Sequence, residues 1–342
     1  MVNVNTTVKV QIMDPLILLV IILIFVGIVV GFANGFFGVG GCFLMVPFMH
    51  FLFVGMGVPA DLAIKLAFGT NMLVVAPTAL FGAWRYRREI KEAFPTRRAL
   101  VLTLGAAIGG AIGSSFALLT PGEFLKIIFG VFCIIGAYRF MTAKPKPIQV
   151  LPEAFSRKQY FLSGLAGGGV AHYLGIGGGL VYLLILNWYL SIPIHLSVAV
   201  SLATMTVSSG VGATVFGILG SLFPHSSLIF VDGVSINTPL TLYILYNWGF
   251  TYVYQLYYLS YLGIIPNFIN RFLMSPFPPF TIGYVNLLAF VSLAVTSIPF
   301  SMLGAWASVR VSPRKLSILL AITYIYVGLK LIGVFSYLGL PI

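Results

Sequence analysis

Gly31-Phe-Ala-Asn-Gly-Phe-Phe-Gly-Val-Gly-Gly41 is a glycine-rich stretch inside the first apolar segment of the chain. A related stretch follows in the second half, Gly164-Leu-Ala-Gly-Gly-Gly-Val-Ala-His-Tyr-Leu-Gly-Ile-Gly-Gly-Gly179. Glycine is costly inside a helix, so a glycine cluster at membrane depth predicts a broken or re-entrant helix. Two related breaks at corresponding positions indicate a binding site between structural repeats.

The composition indicates an all-α polytopic membrane protein. Of the 342 residues, 59% are hydrophobic and 8% are charged, and the mean hydropathy is +1.05. Apolar runs of about 18 or more residues recur along the chain and predict membrane-spanning helices. The net charge of +12 comes mostly from short loops, as the positive-inside rule expects, so the predicted partner is membrane lipid and not nucleic acid.

The order of segments predicts an internal duplication with about five helical segments in each half. Gly38-Val-Gly-Gly41 aligns with Gly175-Ile-Gly-Gly178, and Gly69-Thr70 aligns with Ala203-Thr204. The predicted divisions are an external tail 1–14, a first transmembrane repeat 15–141, a cytoplasmic linker 142–158, the first part of a second repeat 159–220, an external aromatic-rich insertion 221–280, and the remainder of the second repeat 281–342. For 221–280, an interfacial location is favoured over a pair of extra spans.

The distribution of basic residues predicts that the two repeats are inverted. If the basic loop 85–98 and the linker 142–158 are cytoplasmic, the turn 119–122 is external. The equivalent turn of the second half carries Arg310, Arg314 and Lys315, so it should be cytoplasmic. Both termini are then external in the cell membrane, and the two glycine-rich breaks meet near the midplane.

The glycine motifs and the order of apolar segments around them resemble the TauE/SafE family. The resemblance is carried by the segments 31–47, 63–71, 105–113, 164–179 and 199–202, and it covers most of the chain except 221–280. It implies a permease for a small sulfur-containing anion such as sulfite, thiosulfate or an organosulfonate, with export as the usual direction.

The residues themselves also favour an anion. A helix that restarts after a glycine break directs N–H groups and the positive end of its dipole into the cavity, so two opposed starts could cradle an oxyanion. The alternative is that the glycines only allow close helix packing. The candidate substrate-binding residues are Asn34, Gly38, Gly40, Gly41, Thr70, Asn71, Gly175, Gly177, Gly178, Gly179, Ser201 and Thr204.

Three ionisable residues are candidates for gating or proton relay. His172 lies three residues before Gly175, where it could titrate or be a satisfied core histidine. Asp61 and Lys65 are four residues apart on one helix face, so they could pair at the external mouth. That pair could attract the anion or merely neutralise a helix end.

Two other function classes are weighed against the anion permease. An intramembrane enzyme would need a catalytic constellation at depth, and neither HExxH nor paired intramembrane Asp residues occur. A permease for another solute, such as a metal cation, would favour carboxylate ligands, but only seven acidic residues are present. We therefore expect no enzymatic activity, no cofactor and no metal site. The oligomeric state, including a homo-oligomer, stays open.

Overall fold

The protein is described from a computed structural model. The structure describes residues 15–89, 96–142, 155–222, 229–231, 234–236, 278 and 280–334. The tail 1–14, most of the linker 142–158 and most of the insertion 221–280 lie outside these residues. The predicted locations of those three segments therefore stay predictions.

The described chain is built almost entirely from helices. In the first half these are α1 (Pro15–Phe37), α2 (Cys42–Gly55), α3 (Ala60–Glu89), α4 (Thr96–Leu119) and α5 (Gly122–Thr142). The second half has α6 (Arg157–Tyr173), α7 (Gly179–Leu184) continuing as a π-helical turn (Ile185–Tyr189), α8 (Ile194–Leu222), α9 (Leu287–Val309) and α10 (Pro313–Ile332). Two antiparallel hairpins precede α9, formed by β1 (Ile229–Val231) with β2 (Val234–Ile236) and by β3 (Thr281–Ile282) with β4 (Val285–Asn286).

Several of the described helices are long and apolar enough to cross a bilayer. By length and composition these include Leu19–Phe37, Ala60–Glu89, Arg97–Leu119, Ile194–Ser221 and Leu287–Val309. The apolar helices beside the breaks, within α2 and α7, are shorter. Large apolar side chains such as Phe25, Leu104 and Val295 are exposed on outer faces, as expected of surfaces that contact lipid. The predicted polytopic, all-helical class is confirmed.

The same helix pairing occurs in both halves. α1 packs along α9, as its counterpart α6 packs along α4, while α3 contacts α8 and α5 contacts α10. Small residues make the close pairs possible, because a methyl group on Gly31 would overlap the backbone of Ser297 in α9, and one on Gly168 would overlap that of Ala106 in α4. This is the small-residue packing typical of membrane helices. Many of the glycines therefore serve helix crossing.

The predicted cytoplasmic loops adjoin one another at one end of the helix bundle. Arg310, at the end of α9, lies 3.9 Å from the carboxylate of Glu89 at the end of α3. Arg314 donates to the carbonyl of Met141 at the end of α5. Trp84 and Trp306 lie under the guanidinium groups of Arg88 and Arg310, an arrangement typical of a membrane interface. The contacts support the grouping of these loops, while the inverted orientation and the side of the membrane stay predictions.

The loop predicted at 85–98 is shorter than expected. α3 continues to Glu89, and α4 already begins at Thr96. Arg85 and Glu89 form an ion pair at 2.7 Å one helical turn apart, which favours the helical state over a loop. The prediction was wrong at both ends of the loop because it read charge as a sign of irregular structure.

Candidate functional site

Both glycine motifs form sharp breaks between helices. α1 ends at Phe37 and α2 begins at Cys42, while α6 ends at Tyr173 and α7 begins at Gly179. Three glycines in each break have positive φ, which other residues adopt at a cost. They are Gly38 (68°), Gly40 (83°), Gly41 (62°), Gly175 (67°), Gly177 (70°) and Gly178 (110°).

The two breaks contact each other in the middle of the protein. Gly179 lies directly on the backbone of Val39, so closely that a methyl group on Gly179 would overlap it. Val75 of α3 is the shared neighbour of both loops. A methyl group added to Gly40 would lie 3.5 Å from Val75, and one added to Gly177 would lie 3.4 Å from the same side chain. The structure therefore brings together the two motifs that the sequence singled out.

Side chains of α3 and α8 hold the carbonyl groups exposed by the breaks. The Ser201 hydroxyl donates to Gly38 O at 2.9 Å and also lies 3.3 Å from Gly179 O, so it bridges both breaks. Asn71 Nδ2 donates to Gly175 O at 2.9 Å. Ser209 donates to Gly177 O at 2.7 Å. These bonds satisfy carbonyl groups that the broken helices leave open.

The contacts pair Asn71 with Ser201 as equivalents. Gly38 packs against Val198 of α8, three residues before Ser201. Gly175 packs against Phe68 of α3, which is likewise three residues before Asn71. The sequence alignment of Thr70 with Thr204 differs from this pairing by four residues, which is about one helical turn. A shift of one turn keeps the apolar pattern, so the sequence could not detect it.

Replacing Ser201 by alanine tests the bridge between the breaks. We expect Ser201→Ala to lower the free energy of unfolding by about 1–2 kcal/mol, because the Gly38 carbonyl loses its side-chain donor and the contact with Gly179 O in the opposite break is lost as well. Ser209→Ala removes one carbonyl tether only and should cost less. Thermal unfolding of both variants in detergent measures the difference. Equal losses would show that Ser201 does not serve both breaks.

Two buried amides at the breaks have polar atoms without partners among the described residues. Asn34, four residues before Gly38, is fully buried, and neither its Oδ1 nor its Nδ2 forms a hydrogen bond. Asn71 is fully buried as well, and its Oδ1 has no donor. Buried polar groups are normally paired. Both amides lie beside helix starts, and neither α2 nor α7 has a side-chain N-cap bond. Unpaired polar groups beside uncapped helix starts are typical of a ligand site.

The threonines of the candidate set contact other helices. Thr70 Oγ1 accepts from the backbone N–H of Asn286 at the start of α9. Thr204 Oγ1 accepts from Thr103 of α4 at 3.3 Å. In the described part of the chain, both side chains therefore join helices to one another rather than holding a break.

His172 fills a crossing of four helices. Its Nδ1 donates to Gly168 O at 2.9 Å, and the ring also contacts the backbone of Ser208. A methyl group added to Gly110 of α4 would lie 3.2 Å from the ring, and Gly212 of α8 adjoins the ring and Met72. The glycines of α4 and α8 thus provide the space that the imidazole occupies.

Asp61 and Lys65 connect α3 to the turn between α4 and α5. Lys65 is buried, and its ammonium lies 3.6 Å from the Asp61 carboxylate and donates to Leu118 O at 3.1 Å. Asp61 Oδ1 accepts from the N–H of Gly122, the first residue of α5. The pair is engaged with helix ends on both sides, which supports a structural role.

Removing the acid of this pair should destabilise the protein more than removing the base. Asp61→Ala leaves a buried ammonium without its counter-charge, which costs about 1–3 kcal/mol after allowance for the half-exposed carboxylate. Lys65→Met removes the buried charge and should cost less. Thermal unfolding in detergent compares the two, and a larger loss for Lys65→Met would contradict this account.

The sequence reasoning missed three contributors to the site. Val75 and Ser209 contact the breaks, and Ser208 accepts the hydroxyl of Tyr182 at 3.1 Å. Each lies on an apolar membrane helix among similar residues, so no sequence signal marks it. Among the described residues, no group of three or more His, Cys, Asp or Glu side chains could hold a metal ion.

Comparison with known proteins decides the family. The family model "Sulfite exporter TauE/SafE" matches residues 23–247, which include both glycine breaks. The chain belongs to the TauE/SafE family. Relatives include a "Probable membrane transporter protein" of Methanocaldococcus jannaschii, 29% identical over 56% of this chain and 70% of the relative.

Other TauE/SafE relatives have similar descriptions. The "Probable membrane transporter protein YunE" of Bacillus subtilis is 25% identical over 62% of this chain and 84% of the relative. A "Probable membrane transporter protein" of Xylella fastidiosa is 28% identical over 45% of this chain and 57% of the relative. No solved structure matches the chain. The family is one of membrane transporters, as the resemblance implied.

Proposed function

We propose that this TauE/SafE protein is a permease that moves a small sulfur-containing anion, such as sulfite, thiosulfate or an organosulfonate, out of the cell. The observation that carries the proposal is the contact between the two breaks, where Gly179 packs on Val39 in a chain of this family. Membrane carriers built from repeats place their substrate between such broken helices.

The polarity of the breaks favours an anion over a cation. Carbonyl oxygens that could coordinate a cation already accept hydrogen bonds from Ser201, Asn71 and Ser209. The starts of α2 and α7 have no side-chain cap, so their N–H groups and dipoles remain directed at the loops. The helix starts therefore present donors and positive potential to a bound anion.

Export needs no coupling ion under this proposal. A negative-inside potential drives an anion outward by about 2.3 kcal/mol per charge per 100 mV. The inverted repeats would exchange conformations around the fixed site, which opens it to either side in turn. Both termini lie outside the cell in this arrangement. The protein acts as a transporter and performs no chemical step on the anion.

The test is the flux of labelled sulfite from proteoliposomes that contain the purified protein. We expect saturable efflux that a negative-inside potential accelerates and that thiosulfate or a sulfonate inhibits. Gly40→Val should reduce the flux, because the φ of 83° at this residue disfavours a β-branched side chain, and an added methyl group would already be in van der Waals contact with Val75 and Met205. Absence of sulfite, thiosulfate and sulfonate flux in a folded, reconstituted protein would refute the proposal.

A further inference from the structure

The Asn71 side chain has one polar atom more than its structural task requires. Its Nδ2 faces Gly175 O at 2.9 Å, and because a carbonyl oxygen only accepts, this contact fixes the orientation of the amide. Its Oδ1 is therefore a hydrogen-bond acceptor, buried at the second break and without a donor among the described residues. At the equivalent position, the hydroxyl of Ser201 is sufficient to hold Gly38 O.

An unpaired buried acceptor destabilises the empty protein, so a ligand that supplies a donor gains from it. A bare oxyanion offers only acceptors and would be repelled by the Asn71 carbonyl. Asn34 repeats the same feature at the first break, because its Oδ1 is a second buried acceptor without a partner in the described part of the chain. The breaks thus offer acceptors as well as the donors at the helix starts.

The scarcity of buried positive charge independently limits the net charge that the ligand can carry. Among the residues whose side chains the structure describes, Lys65 is the only buried lysine or arginine, and it is bonded to Asp61 and Leu118 O. Within that part of the chain, no buried cation is left to neutralise a dianion. The free energy needed to move an ion out of water rises with the square of its charge, so a monoanion is strongly favoured.

We infer that the transported anion is a monoanion that carries its own hydrogen-bond donor, such as hydrogen sulfite, and that Asn71 Oδ1 accepts from that donor. This inference rests on the proposed function and specifies its substrate. Fully deprotonated sulfite and sulfate are dianions without a donor, so the site discriminates against both. Asn71 is then a specificity-determining residue.

Sulfamate and methanesulfonate provide a matched pair of probes. Both are monoanions of similar size near neutral pH, but sulfamate carries an amino group where methanesulfonate carries a methyl group. Each is added as a competitor of labelled sulfite flux in proteoliposomes. We expect sulfamate to inhibit at a concentration about tenfold lower or more, because only it satisfies the buried acceptor.

Two variants separate the acceptor from the tether. Asn71→Ser retains a donor for Gly175 O and removes the surplus carbonyl, so the preference for sulfamate should fall towards one. Ser209→Ala loosens the same break at Gly177 O and should leave the preference unchanged. In the unmodified protein, flux at constant total sulfite should also rise as the pH falls and hydrogen sulfite accumulates.

The outcomes distinguish this inference from the proposed function. Sulfite flux with equal inhibition by both probes would overturn the inference while the permease proposal survives. The same holds if methanesulfonate inhibits better or if Asn71→Ser keeps the full preference. Absence of flux for every sulfur anion would instead overturn the proposed function. The probe comparison in the unmodified protein decides the matter even if Asn71→Ser fails to fold.

Discussion

Gly179→Ala is expected to abolish transport, although alanine is the better helix former. Gly179 is the first residue of α7, and its φ is not among the positive values of the break, so backbone conformation does not require glycine there. The added methyl group would overlap the backbone of Val39 in the opposite break. Both backbone segments are fixed by the helices that flank them, so separating them requires a shift of those helices. We therefore expect the overpacking to lower the free energy of unfolding by about 1–3 kcal/mol or more.

The matched control for this variant is Gly210→Ala in α8. A methyl group there would meet only Ala76, at 3.9 Å, which is an ordinary contact. Helix propensity alone should then stabilise the control by up to about 1 kcal/mol. Labelled sulfite flux and thermal unfolding of both variants give the comparison. Full transport by Gly179→Ala would show that contact between the breaks is not needed for function.

Asn34→Leu is expected to stabilise the protein and to impair its transport. The fully buried amide of Asn34 has two polar atoms without partners among the described residues, so an apolar side chain of similar size should raise the free energy of unfolding by about 1–3 kcal/mol. If the amide binds the anion, transport should fall by about tenfold or more, because a bound oxyanion loses a donor.

A satisfied asparagine provides the control. Asn286 is also buried, but its Oδ1 accepts from Ala289 N at 2.8 Å and its Nδ2 donates to Thr281. Asn286→Leu should therefore lower the melting temperature, whereas Asn34→Leu should raise it. A lower melting temperature for Asn34→Leu would show that the amide has a structural partner and would remove its assignment to the site.

Much of the fold could be predicted because lipid imposes simple rules on sequence. Long apolar runs identified the helices, and the glycine clusters located both breaks, since few other residues adopt the positive φ found at Gly38 and Gly175. The end of α3 was harder to predict from the sequence. Its Arg85–Glu89 pair is polar enough to resemble a loop, although the residues pair along the helix.

The residues that contact the breaks were predicted only in part, for a physical reason. Gly179, Asn71 and Ser201 do contact the breaks, because their residue types either permit close approach or supply donors. Val75 contributes only van der Waals contacts with the two breaks. The sequence contains many valines in apolar segments, and nothing in it distinguishes this one. The roles of Asn71 and Ser201 as equivalents also required the structure, because a displacement by one turn leaves the hydrophobic pattern intact.

Asn71 and Ser201 occupy equivalent positions but differ in chemistry, and this difference has a kinetic consequence if the two halves of the carrier exchange conformations during transport. The second break has the amide of Asn71 at the position where the first break has the hydroxyl of Ser201, so under the proposed alternating access the anion would meet different chemistry from each side of the membrane. A passive carrier cannot use this difference to pump. It should nevertheless saturate at different concentrations on its two faces, with maximal rates that differ in the same proportion when no voltage is applied.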